Sequence, residues 1–121
     1  YNLTSENNEK AKKQLELAER YGRDEKAANS HNYAAGILAA QIATEAIKET
    51  KKAGLKINRE NIYKTMQTLN FESFAAAGPV TYSPTERIGV DIMNIYAAKD
   101  GVFKKIQAFE SQYIQKVRAG R

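Results

Sequence analysis

The chain has 121 residues, 42% of them apolar and 27% charged, enough for one hydrophobic core and unlike a disordered composition. It has no cysteine, which excludes a disulfide framework, a thiolate zinc site and a cysteine nucleophile and leaves the redox compartment open. Nineteen basic against fourteen acidic residues give a net charge of +5, but the cations are interleaved with Glu9, Glu16 and Glu19 in a solvated pattern, so no nucleic acid is expected as a partner.

The first helix is expected to start at Thr4 or Ser5 and run to about Tyr21, with Gly22 beyond it. Its apolar stripe is thin: Ala11, Leu15 and Ala18, with Leu17 and Tyr21 nearby. Residues 23–30 show no period and deliver the chain, through a cap at Ser30 or Asn29, to the element that organises the rest. That element is a helix over residues 31–54. Its first half is apolar nearly all round (Tyr33, Ala34, Ala35, Ile37, Leu38, Ala39, Ala40, Ile42, Ala43), and its last turns carry Lys48, Glu49, Lys51 and Lys52 before a closing Gly54. Ile37, Leu38 and Ile42 are expected to be buried, partly by protein outside this chain.

A third helix is capped by Asn58 and reaches about Leu69, with Ile62, Met66 and Leu69 on one inward face. Residues 71–78 read as irregular, 79–82 as a short extended piece, and Ser83-Pro84-Thr85 as a turn. Two strands over 90–98 and 102–109, joined by Asp100-Gly101, form an antiparallel hairpin. Residues 110–121 are a tail of mixed polarity in which Tyr113, Ile114 and Val117 form a short helical face. No apolar run reaches the roughly twenty residues a bilayer crossing needs. Nothing at the start reads as a signal peptide, so the chain is cytoplasmic or its leader lies outside this sequence. Asn2-Leu3-Thr4 matches a glycosylation acceptor by letters only.

Three helices and a hairpin leave the central helix short of cover, since a two-stranded hairpin is marginal on its own. One reading is that the chain packs against more protein than it contains. The other is a small helical domain overlaid by a hairpin.

The order of several short strings resembles one family. Asn32-Tyr33-Ala34-Ala35-Gly36, the alanine-rich helix ending Lys52-Ala53-Gly54, the Asn58-Arg59-Glu60-Asn61 helix start, and Gly78-Pro79-Val80-Thr81-Tyr82-Ser83-Pro84 come first. Arg87-Ile88-Gly89 and the Lys99-Asp100-Gly101 turn before Phe103 follow them. Together they are similar to the C-terminal third of type I periplasmic solute-binding proteins of ABC importers, the branched-chain amino acid receptors. The resemblance implies an α/β fold, a fragment of a two-lobed structure: residues 1–78 the helical part of lobe one, 79–109 a crossover region and β-hairpin, 110–121 a tail. It implies a periplasmic or extracellular location, a small solute such as an amino acid or related carboxylate, and an ABC permease as partner. It also places Ser30, His31, Asn32 and Tyr33 beside the cleft and Tyr82 near the hinge. The plainer roles are capping for Ser30 and Asn32, a surface position for His31, core packing for Tyr33 and a sheet-surface aromatic for Tyr82. No metal set, cofactor loop or nucleophile with its base can be assembled, so no enzyme is expected. The same fold serves as a ligand sensor in regulators, and an incomplete fold has a reason to form a homo-dimer.

Overall fold

The computed structural model describes residues 8–110, together with Gln112 and Lys116. The expected start at Thr4 or Ser5, the glycosylation letters and the helical face of the tail lie outside those residues.

Helix α1 spans Glu9–Arg20. Its N-cap is Asn8, in extended conformation, whose Oδ1 accepts from the Ala11 amide at 2.8 Å, so the cap stands four residues beyond Thr4. The helix buries Ala11, Gln14 and Ala18, whereas Leu15 and Leu17 are half-buried and Tyr21 is exposed. It ends in a Schellman turn, with Gly22 at φ +66 and the Arg23 amide on the Ala18 carbonyl at 2.8 Å. Residues 23–30, which show no period in the sequence, are not without structure. They hold a four-residue helix, α2 (Glu25–Ala28), capped by Asp24 and too short to show a period.

Helix α3 spans His31–Lys52. It buries Ala34 and Ile37 near its start and Ala46 and Thr50 near its end. At 100° per residue those two pairs lie on roughly opposite sides of the helix. Helix α3, in whose apolar first half Ala39, Ala40 and Ala43 are exposed, thus serves different neighbours at its two ends. At the start these are α2 and the segment 73–77, where the buried Ser73 hydroxyl meets Gln41 Oε1 at 2.7 Å. At the end the neighbour is α4 (Arg59–Met66), reached through the Thr50 and Thr65 hydroxyls 3.0 Å apart. Of the three residues expected to be buried only Ile37 is, at 8% exposure; Leu38 and Ile42 are half-buried by the described residues. Helix α4 stops at Met66, so Leu69, though buried, lies past its end.

Strand β1 (Asn70–Phe71) pairs antiparallel with β2 (Val80–Thr81), a pairing not legible in the irregular pattern of residues 71–78. Val80 is wholly buried there. Strands β3 (Ile92–Lys99) and β4 (Val102–Glu110) form the expected hairpin, starting at Ile92 instead of Val90. Asp100 (φ 54) and Gly101 (φ 76) both take the left-handed region that a tight two-residue turn demands. A register shift between Ile95 and Tyr96 bends the ladder. The architecture is thus mixed α/β, with four helices and two small antiparallel sheets among the described residues. No helix among them is long and apolar enough to cross a membrane.

Candidate functional site

The start of α3 separates two open concavities. On one side a cavity of about 590 Å³ is lined by Ser30 and His31, by Ala34 and Leu38 one and two turns along, by the 75–77 segment, and by Ile92, Asn94 and Tyr96 of β3. On the other a groove of about 700 Å³ runs along Asn32, Tyr33, Gly36, Ile37 and Ala40, with Leu17, Tyr21 and Arg23 opposite. The split follows from helix geometry. His31, Ala34 and Leu38 recur at i, i+3 and i+7 and share one face, while Tyr33, Gly36, Ile37 and Ala40 share the next.

The five residues singled out in the sequence therefore do not form one cluster. Ser30 and His31 stand together, Asn32 and Tyr33 face the neighbouring groove, and Tyr82 lines a third, smaller hollow of about 150 Å³ with Tyr63, Met66, Glu86 and Arg87. Tyr82 is tied to the fold by its amide on the Leu69 carbonyl at 2.9 Å. Its ring also explains Gly89, where a Cβ would stand 2.6 Å from the Tyr82 hydroxyl oxygen.

Ser30 holds the N-cap position of α3, yet its side chain makes no capping hydrogen bond. In contrast Asn8, Asp24 and Asn58 all cap their helices through the side chain. The positive end of the longest helix is thus left without a side-chain cap beside the 590 Å³ cavity, an arrangement suited to a carboxylate. Ala34, Leu38 and Ile92 supply apolar wall, and His31 is exposed at the rim. Asn94 and Tyr96 complete the lining, their side chains 3.3 Å apart, and sequence reasoning missed both. The alternation of Ile92 and Asn94 along β3 was the available signal, since it puts both on one face of the strand, whereas Tyr96 lies past the register shift. Among the described residues no three acidic or histidine side chains gather in a way that would hold a metal ion.

No protein-family model matches the sequence, and no curated protein matches it. Among solved structures the chain is similar to a branched chain amino acid ABC transporter from Thermus thermophilus with bound valine, at a TM-score of 0.76 and 26% sequence identity. The likeness covers 98% of this chain and 34% of that one, so the chain spans about a third of the length of the structure it matches. The resemblance to type I periplasmic solute-binding proteins that the sequence carries is matched by the fold, over nearly the whole chain.

Proposed function

We propose that this chain is part of an extracytoplasmic solute-binding protein that captures an amino acid or related small carboxylate and delivers it to the permease of an ABC importer. The observation that carries the reading is the likeness, over 98% of the chain, to a transporter structure with bound valine. The cavity at the start of α3 supports it. In this reading the solute carboxylate sits against the backbone N–H groups of the first turn of α3, assisted by the Ser30 hydroxyl and His31. Its side chain lies on Ala34, Leu38 and Ile92, and Asn94 with Tyr96 meets the polar remainder. Asn32 and Tyr33 border the adjoining groove, and Tyr82 stiffens the 82–89 segment at the hinge side. Binding involves no bond-making step, so no catalytic group is assigned.

The test is calorimetry with valine, other amino acids, small carboxylates, amides and aromatic acids on the longest natural polypeptide that contains this chain. Micromolar binding of one class, weakened about tenfold or more by Ser30→Ala with His31→Ala, is the expected result. Failure to respond to every class overturns the reading.

The exposed apolar hairpin residues, Met93, Ile95 and Phe109, favour a second reading in which two copies cover each other as a homo-dimer. Sedimentation decides it: a well-folded monomer at micromolar concentration removes the dimer.

A further inference from the structure

The turn between α3 and α4 breaks three local rules at once. Residues 51–60 are exposed without interruption. Leu55 follows the left-handed Gly54 of a Schellman turn, with its amide on the Thr50 carbonyl at 3.1 Å; an apolar residue there usually packs back on its helix, but Leu55 is 44% exposed. Ile57, two residues on, is 52% exposed. Arg59 is the first residue of α4, where a cation opposes the positive end of the helix dipole.

The charges are equally one-sided. Lys52 pairs with Glu49 at 3.2 Å and Lys64 with Glu60 at 3.1 Å. Lys51, Lys56 and Arg59 have no ion pair among the described residues. The turn is nevertheless held firmly. Asn61 clamps it from both sides, its amide on Asn58 Oδ1 at 2.9 Å and its side chain on the Lys56 carbonyl at 2.8 Å. A fixed projection thus carries two aliphatic side chains among three uncompensated cations, each feature costing local stability without a contact that returns it.

We propose that this turn is a membrane-surface contact, with Leu55 and Ile57 entering the interfacial layer of an anionic bilayer while Lys51, Lys56 and Arg59 meet its lipid headgroups. Leu55, Ile57, Lys51, Lys56 and Arg59 include no aromatic anchor, and lysine and leucine are under-represented at the centre of specific protein interfaces. A lipid surface demands no such anchor, since it requires only cations near the headgroups and apolar side chains short enough to lie shallowly. Each cation strengthens attachment about fivefold, so three predict a preference of about a hundredfold for anionic over neutral lipid.

The test is co-sedimentation of the longest natural polypeptide that contains this chain with vesicles of equal parts phosphatidylglycerol and phosphatidylcholine, and with phosphatidylcholine alone. Binding to the anionic vesicles at least tenfold stronger, and lost at high salt, is expected. The triple substitution Lys51→Glu, Lys56→Glu, Arg59→Glu abolishes it; Leu55→Ser with Ile57→Ser weakens it several-fold. Circular dichroism shows both variants folded, because every substituted side chain is exposed. A control with the same charge change elsewhere, Lys13→Glu, Lys26→Glu, Lys104→Glu, keeps most of the binding. No association with anionic vesicles, or equal loss in the control, overturns the proposal; the first outcome leaves the turn to an acidic protein surface.

Discussion

Gln14 is the largest fully buried side chain of the described residues, a carboxamide in the middle of the face that α1 turns inward. Its Nε2 donates to the Ala28 carbonyl at 2.7 Å and so joins α1 to the end of α2, while its Oε1 has no hydrogen-bond partner. Removing the side chain strands a buried carbonyl and opens a hole. Gln14→Ala is therefore expected to lose about 1–3 kcal/mol in urea unfolding. Gln14→Glu should lose more, because a buried carboxylate would then face a carbonyl with no donor between them. An equal or smaller loss for the glutamate would show that α1 opens to water in solution. A similar argument applies to Gly89. With the Tyr82 hydroxyl oxygen 2.6 Å and ring carbon Cζ 2.7 Å from the place of a Cβ, Gly89→Ala must push the ring aside, for about 1–3 kcal/mol by the same measurement. Gly89→Ala in a Tyr82→Leu background should cost clearly less, since the obstructing ring is gone.

Among the elements, what was legible in the sequence follows from length and period. The 22 residues of α3 and the Asp100-Gly101 hairpin were readable because one spans six turns and the other rests on a turn that few residue pairs satisfy. Helix α2 and the two-residue strands β1 and β2 are shorter than any period that would announce them, and their ends are fixed by contacts distant in sequence, such as the Thr81 amide on the Gly89 carbonyl. The candidate site was half legible for a related reason. Ser30 and His31 were adjacent to a helix start that could be seen, but the face of β3 opposite them depended on where the hairpin folds back. Treating residues 30–33 as one cluster also ignored the 100° step that sends Asn32 and Tyr33 to the other groove. The hairpin itself yields a prediction. Gly101→Val puts a β-branched residue at φ 76, which should cost about 1–2 kcal/mol and, since the hairpin is two-stranded, speed hydrogen exchange along β3 and β4 while leaving α3 unchanged. Equal acceleration in α3 would mean that hairpin and helices unfold as one unit.

At the scale of the molecule, burial is uneven across the described residues. The tight packing lies where α1, α2 and the 73–77 segment meet the start of α3: Ala11, Ala28, Ala75 and Ala76 are each at most 2% exposed. Away from it, Met93 is 64% exposed, Ile106 67% and Phe103 56%, and all three belong to the hairpin. Folding of this chain should therefore draw on the first set and be nearly indifferent to the second. Ile37→Ala removes a side chain that is 8% exposed and should cost about 2–4 kcal/mol. Met93→Ser and Ile106→Ser each remove apolar surface that is mostly in water already and should change stability by less than about 0.5 kcal/mol. Urea titrations of the three variants, in which the monomer is verified by sedimentation, separate the possibilities. If Met93→Ser costs as much as Ile37→Ala in the monomer, the hairpin packs on the helices in solution. If the cost appears only at concentrations where two copies associate, the hairpin face is a seam between copies. If it appears in neither case, the hairpin face contributes nothing to the folding of this chain.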